Sequence, residues 1–493
     1  GSAPSPQIVV GMPARDAASG DFILPRYPVG YSSATLVRIA SAQLVALGLQ
    51  ESHALSEWVA SGGSLAINVS RPEDLRHPTM MAFFGAAPSP CPVKPETATF
   101  PSRLKDLDLQ GFEGGNLRPH ATGSVATYGQ GEVHLLAFDP STPPGAESPW
   151  VVNRMTTLVA RAHAGKQQSL FPIGTTLRNH GELSHELDPN TSSRWPIAFG
   201  GLLLLLYSVL AGPVNFSRFR NRGRPLHSLR ALPLLSLGTF VLIATVGSIA
   251  KGCADHSRRL VFAELGAGMS QGHAIRWRSF FGPGTNIITI AASSQNSVLS
   301  TAPDQSESVG AQLRLVGDTA QLEKVSLRPW QTAIAQESGT FTLDGHIALT
   351  PDSSGGVTVT NRSGRKLRGL ILKLPSSPNL SFAPDLNDGQ SLHSSKFTSA
   401  SHCAIPHSGG SGTGLRFFPD SCQATFDPVS PTLASAWKGV LSVAPKRHRN
   451  WFPRNVPTLL AQVDGGDGVT HDTGVKIKHN RLLIRVTGTG GQP

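Results

Sequence analysis

PIAFGGLLLLLYSVLAGPVNF, Pro196–Phe216, and ALPLLSLGTFVLIATVGSIA, Ala231–Ala250, decide how this chain is organised. Neither stretch holds Asp, Glu, Lys, Arg or His. Each supplies the roughly 20 residues a helix needs to cross about 30 Å of hydrocarbon. Between them runs SRFRNRGRPLHSLR, Ser217–Arg230, with Arg218, Arg220, Arg222, Arg224 and Arg230. A short basic loop between two spans is expected on the cytoplasmic side. The flanking regions, about 195 and 240 residues long, are then expected together on the far side, with both termini. Arg194, Lys251, Arg258 and Arg259 lie just outside the spans and weaken the charge bias without reversing it. A buried hairpin in a soluble protein is the weaker reading, since lone apolar runs this long are uncommon in soluble folds.

Mean hydropathy is slightly negative, so two spans sit in an otherwise water-compatible chain. At 493 residues there is room for two or three domains with real cores. The net charge of +11 is a poor argument for nucleic acid. Five arginines sit in the loop, and the other basic residues are scattered without interleaved aromatics. With 51 Gly, 38 Pro and only 4 Tyr, the domains are expected to be rich in loops. The chain begins GSAPSPQIVV without a signal-like apolar core, so the proposed orientation calls for an export signal upstream. The four cysteines, Cys91, Cys253, Cys403 and Cys422, form no CxxC or Cys/His cluster, which argues against zinc. Cys403 and Cys422 bracket a Gly/Ser-rich loop and are a candidate disulfide in an oxidising compartment.

Before the membrane, Gln7–Gly11, Thr35–Ala40 and Ser64–Val69 read as strands, and Glu51–Ala60 as a helix stopped by Gly62 and Gly63. That order predicts parallel crossovers in an α/β layered domain. Ser124–Phe138 reads as a hairpin turning at Gly129–Gly131, and Trp150–Ala162 as a closing helix. The run GYSSATLVRIAS, then ALSEWVASGGSLAI, YGQGEVHLLAFDP and a Trp-led helix resembles the glutamine-amidotransferase-like domain of certain bacterial membrane proteins. In that family the domain precedes paired spans, with a Gly-Pro-Val/Leu-Asn pattern ending the first. Gly212-Pro213-Val214-Asn215 stands in that place. The resemblance covers about residues 7–165, the hairpin and, loosely, the β-rich tail, and implies a Rossmann-like α/β domain outside the cytoplasm on a bacterial inner membrane. It does not bring the chemistry. An amidotransferase needs a cysteine on a G-x-C-x-G elbow with a His and Glu to activate it, and Cys91 lies between Pro90 and Pro92.

From about Leu260 the texture changes to short alternating runs bounded by Gly, Pro, Asn and Ser. Asn286–Ala291, Gln312–Val316, Thr340–Leu343, Val357–Thr360, Leu370–Leu374 and Leu482–Val486 predict an all-β antiparallel sandwich. Gly356–Leu374 reads as strand, turn, strand and resembles immunoglobulin-like spacer modules. The expected division is residues 1–170 for the α/β domain, 171–195 for a juxtamembrane linker, 196–252 for the hairpin and 253–493 for the sandwich.

Candidate chemistry is sparse. His180 and His185 have the wrong spacing for a zincin, so His180–Asp188 is expected to be a solvated linker. Asp464–Asp472 lacks the alternate-acid pattern of a calcium loop and reads as a turn. Asp139 is a catalytic candidate, with a strand-end cap the favoured reading. No phosphate-cradling loop occurs, and no catalytic, cofactor or metal residues are assigned. Small residues, among them Gly238, Ala244 and Gly247, offer close-approach surfaces on the spans, for the partner span and for another membrane subunit. The favoured function is a non-enzymatic scaffold that binds other membrane or periplasmic proteins and the bilayer, not nucleic acid. The alternatives are a ligand-binding sensor or transporter accessory protein, and a divergent hydrolase or amidotransferase.

Overall fold

The computed structural model describes residues 10–15, 17–18, 20, 22–92, 110–120, 123–143, 145–166, 170–171, 181–188, 195–223, 227–251, 255–282, 284–294, 297–301, 311–316, 319–328, 331–377, 379–400, 437, 440, 443, 451–453, 456–467 and 475–488. The chain is a multidomain mixed α/β protein with a β-rich C-terminal part and two exposed apolar helices.

The first body contains β1 (Leu36–Ala40), α1 (Ser41–Ala46), α2 (Leu49–Ala60), β2 (Ser64–Asn68), α3 (Pro78–Phe84), β3 (Ser89–Pro92), β4 (Gln110–Glu113), β5 (Arg118–His120), β6 (Gly123–Tyr128), β7 (Gly131–Leu136) and α4 (Pro149–Lys166). Five strands form one sheet in the order β1-β2-β7-β6-β5. β1, β2 and β7 run parallel, with Ser64 opposite both Leu36 and Glu132. β2 is buried along its whole length, as a parallel strand covered on both faces must be. Leu65 and Ile67 join Leu55, Trp58, Val59, Met80 and Phe83 from α2 and α3, while Ala66 meets Val151 and Leu158 of α4. The predicted strands at Thr35 and Ser64, helix at Glu51, hairpin and closing helix are all present. The hairpin turns at Gly129, whose φ of 63° and close approach to Ala60 leave no room for a side chain. Of the strand expected at Gln7–Gly11, residues 7–9 lie outside the described residues, and Val10 and Gly11 belong to no strand.

The second body contains β8 (His256–Gly266), β9 (Gln271–Phe281), β10 (Asn286–Ala291), β11 (Val298–Thr301), β12 (Gln312–Val316), β13 (Thr319–Leu327), β14 (Thr332–Thr342), β15 (His346–Pro351), β16 (Val357–Arg362), β17 (Leu367–Lys373), β18 (Leu380–Leu386), β19 (Ser391–His393), β20 (Thr398–Ala400), β21 (Thr458–Val463) and β22 (Lys476–Thr487). Nine strands make one sheet in the order β11-β14-β9-β8-β22-β21-β17-β18-β20. One face is covered by two three-stranded sheets, β15-β16-β19 and β10-β13-β12. The opposite face is covered by Leu170 and Phe171, by Trp437, Val440, Trp451 and Phe452, and by a helix described below.

Two expectations are overturned, and one is refined. The large sheet is not wholly antiparallel, because β22 runs parallel to β8. Gly356–Leu374 is strand, turn, strand as expected, but its two strands lie in different sheets: β16 pairs with β15 and β19, whereas β17 pairs with β18 and β21. The buried Asn361 explains the divergence, since its side chain bonds Arg365 O, Leu386 O and Ser363 and turns the chain from one sheet into the other. Finally, His180–Asp188 is not a solvated linker. Gly181–Leu187 forms α5, and Leu183 and Leu187 are fully buried against the large sheet. Their spacing of four residues puts both leucines on one helix face.

The apolar stretches form α6 (Trp195–Val209), a π turn (Leu210–Val214), α7 (Asn215–Asn221) and α8 (His227–Lys251). The basic loop is shorter than expected. α7 carries Arg218 and Arg220 in its last turn, Arg222 caps it, and Arg230 lies in the first turn of α8. Nothing in SRFRN breaks a helix, and cations at a helix C-terminus complement its dipole. Gly223, with φ of 67°, stops it. Arg224 lies outside the described residues.

Candidate functional site: strand ends, buried charges and the apolar hairpin

Ligands of α/β sheets usually sit at the carboxyl ends of the parallel strands. Here those ends are already occupied by internal bonds. Ser41 Oγ donates to Asp74 Oδ2 at 2.7 Å and accepts the Ser70 N–H at 2.8 Å. Asp139, just after β7, accepts from Ser141 N at 2.8 Å, from Ser141 Oγ at 2.6 Å and from Arg38 Nη1 at 3.1 Å. Partial burial pushes the Asp139 pKa up, but the serine bonds and Arg38 outweigh it and hold the carboxyl below its usual range. Asp139 is thus the strand-end cap of the favoured reading. Cys91 lies on β3, opposite Gly111 in an antiparallel ladder, so it is not on a strand-to-helix elbow. Among the described residues no three His, Cys, Asp or Glu side chains cluster as a metal site. Cys403 and Cys422 lie outside the described residues.

On β7, Glu132 makes a two-pronged pair with Arg161 of α4, both distances being 2.9 Å. Desolvation raises the Glu132 pKa, but His134 and Arg161 outweigh it and hold the carboxyl at about 2. A depressed carboxylate stabilises the fold above its unfolded pKa and loses that contribution as protons bind. The first body is therefore expected to lose stability as pH falls from 4.5 towards about 2. Thermal melts across that range would check it, with Arg161→Met flattening the dependence.

The large sheet holds charges that the sequence reading did not single out. On one face, Glu264 and Arg485 form a fully buried pair. The Glu264 carboxylate also accepts the N–H groups of Leu170 and Phe171, and Arg485 Nε donates to Trp451 O at 3.0 Å. On the other face, Glu337 meets Arg278 at 2.8 Å and Arg276 at 3.5 Å, and accepts from Ser293 N at 3.0 Å. Burial, with Arg276 nearby, pulls His273 down to about 3, so this ring is neutral at physiological pH.

An Asp-His-Ser array sits on the smaller sheet. His393 Nε2 lies 2.7 Å from Asp352 Oδ2, and its Nδ1 lies 2.8 Å from Ser395 Oγ. The bonds are local caps: Asp352 Oδ1 accepts from Ser354 N and Gly356 N, and His393 Nδ1 accepts from Ser395 N. The array ties β19 to the β15–β16 turn at an open surface.

The hairpin is the reverse of a soluble core. The apolar stretches Ala198–Asn221 and Ser228–Val246 contain 24 and 19 residues, and in their most apolar parts 11% and 0% of the residues are buried. Positions 200, 203, 207, 211 and 215 on the first helix are buried or half-buried, as are 228, 232, 235, 239, 243 and 246 on the second. Such three- and four-residue steps mark one helix face. Gly238 and Ala244 fall outside that face and are exposed, and a Cβ on Gly238 would meet nothing within 4 Å. The surroundings of Gly247 lie outside the described residues. The Gly212-Pro213-Val214-Asn215 pattern has a local meaning. Pro213 lacks the N–H a regular helix needs, and the chain widens there into the π turn. Asn215 is then buried, and its Nδ2 donates to Ser228 O at 3.0 Å, fastening the two helices at the loop end. Asn215→Leu is expected to weaken the hairpin by about 0.6–1.7 kcal/mol, the span measured for such bonds in membranes. Reversible unfolding in mixed micelles would read this.

No family profile matches the chain, and no curated protein matches it. Among solved structures, it is similar to the yeast delta-COP-I mu-homology domain complexed with a Dsl1 WxWxV peptide, at 8% identity and a TM-score of 0.20, covering 48% of this chain and 95% of that one.

Proposed function

We propose that this chain is a non-enzymatic, membrane-anchored scaffold subunit of a bacterial envelope complex. Its hairpin would cross the inner membrane, with the Rossmann-like, amidotransferase-like first body and the β-rich second body both outside the cytoplasm. One observation carries the shared side: the regions flanking the hairpin are joined to each other. α5, just before the first span, is buried on the sheet that begins just after the second. Glu186 pairs with Arg481, Arg258 Nη1 donates to Glu186 O at 3.0 Å, and Ser279 Oγ donates to Leu187 O at 2.7 Å. A bilayer between those partners would break all of these bonds. The loop must then emerge opposite both bodies, and its arginines favour the cytoplasm.

The scaffold reading draws on the strand ends, where a nucleophile elbow would stand and Asp139 is instead tied to Arg38 and Ser141. It also draws on the apolar helix faces that α6 and α8 leave uncovered. A cysteine placed at Ser217, with the native cysteines replaced, is expected to resist an impermeant maleimide in intact spheroplasts and to react after lysis. Ready labelling in intact spheroplasts would overturn the orientation. Purification from detergent is expected to bring stoichiometric protein partners, and a lone, monodisperse chain that turns over a substrate would sink the scaffold.

A further inference from the structure

We propose that the tip of the hairpin is a binding surface for anionic phospholipid head groups, an inference that rests on the membrane-spanning reading above. The Asn215–Ser228 bond holds the end of α7 beside the start of α8. That brings Arg218, Arg220, Arg222 and Arg230, all exposed, to one end of the hairpin. Arg218 and Arg222 stand four residues apart, on one side of the helix end. No Asp or Glu occurs between Asp188 and Asp255, so the hairpin contains no carboxylate to neutralise these cations. Their anion has to come from outside.

Position selects the source. Phe216 and Leu229 are 53% and 62% exposed, and each adjoins an arginine within two residues. A ligand that meets both sets of side chains has a phosphate on an acyl chain. Guanidinium forks match phosphate oxygens two at a time, and basic side chains beside a span feel the negative surface of an anionic leaflet. Inorganic phosphate or duplex nucleic acid would engage the arginines and leave Phe216 and Leu229 without a partner, and a single strand could stack a base on Phe216 but would have no acyl chain for Leu229.

The test uses the full chain in micelles, titrated with phosphatidylglycerol or phosphatidylcholine and read by native mass spectrometry of retained lipid. Phosphatidylglycerol is expected to be retained about ten-fold more strongly, a preference that falls with ionic strength. The variant R218Q/R220Q/R222Q/R230Q is expected to lose it. Equal retention of the two lipids, or an unchanged preference in the variant, overturns the proposal. So does displacement of the lipid by inorganic phosphate or by an RNA oligonucleotide. Carbonate extraction of membranes tests the other reading separately: protein released by carbonate refutes the spans, while protein retained without lipid preference refutes only the head-group site.

Discussion

Replacing Arg485 by Met is expected to destabilise the β-rich body by about 3–5 kcal/mol, because it leaves the Glu264 carboxyl buried without its cationic partner. Arg485 is 0% exposed and its partner 1%. Three separate stretches converge on this pair: β8 supplies Glu264, β22 supplies Arg485, and Leu170 and Phe171 arrive from beyond α4 to donate two backbone N–H groups. The methionine can follow the path of the arginine stem, so lost volume is a small part of the effect. The uncompensated carboxylate is the large part. Chemical denaturation followed by tryptophan fluorescence reads it directly, since Trp277, Trp437 and Trp451 share the core on that face. The double variant Glu264→Gln/Arg485→Met is expected to regain part of the loss, because a neutral amide can still accept from Leu170 N and Phe171 N. A single variant within about 1 kcal/mol of the parent would mean that water reaches Glu264.

That pair also explains where the sequence was hard to read. The first body was legible because its strands and helices keep clean apolar periods: Ala54, Leu55, Trp58 and Val59 line one face of α2, and Ser64–Asn68 is apolar enough to be recognised as a strand. The two long apolar helices were legible by length and composition. Two interior strands of the large sheet, β8 and β9, were not singled out, although every residue of β8 is buried. Arg258, Arg259 and Glu264 in β8, and Arg276 and Arg278 in β9, interrupt the apolar alternation that marks a strand. Their partners lie far away in sequence, so nothing local reveals that they are satisfied in a core. The parallel pairing of β22 with β8 is equally invisible, because it joins the start of the tail to its end. α5 was hidden in the same way, since HGELSHELD looks soluble until its two leucines meet a sheet built from later residues. At the candidate site, the Asp139 cap was legible from its place after a strand, and the Asn215 fastening was not. The Gly212-Pro213-Val214-Asn215 run drew attention to the residue without saying what it bonds.

Gly266→Leu is expected to separate the two bodies. A Cβ at Gly266 would lie 2.5 Å from the Cα of Gly129 and 2.7 Å from its carbonyl carbon and oxygen. Both sides of that contact are backbone, so no side chain can swing away to make room. Gly129 cannot retreat either, because a Cβ there would itself lie 2.5 Å from Ala60 O, and the Gln130 N–H donates to that same oxygen at 2.8 Å. Beside this contact, Gln130 bridges the bodies. Its Nε2 donates to Leu265 O, and its Oε1 accepts from Thr487 Oγ1 at 2.9 Å. Overpacking costs about 1–3 kcal/mol, and each lost hydrogen bond adds about 0.5–1.5 kcal/mol, so the coupling falls by about 2–6 kcal/mol. In the parent, calorimetry is expected to show the two bodies melting together. In Gly266→Leu the transition should split, with the α/β body unfolding apart from the β-rich one. Gln130→Ala, which removes the bridge without the collision, should produce a smaller shift. Gly165→Ala in α4, where a Cβ meets nothing within 4 Å, should produce none. A single, unshifted transition in Gly266→Leu would mean that the glycine contact contributes nothing to holding the bodies together.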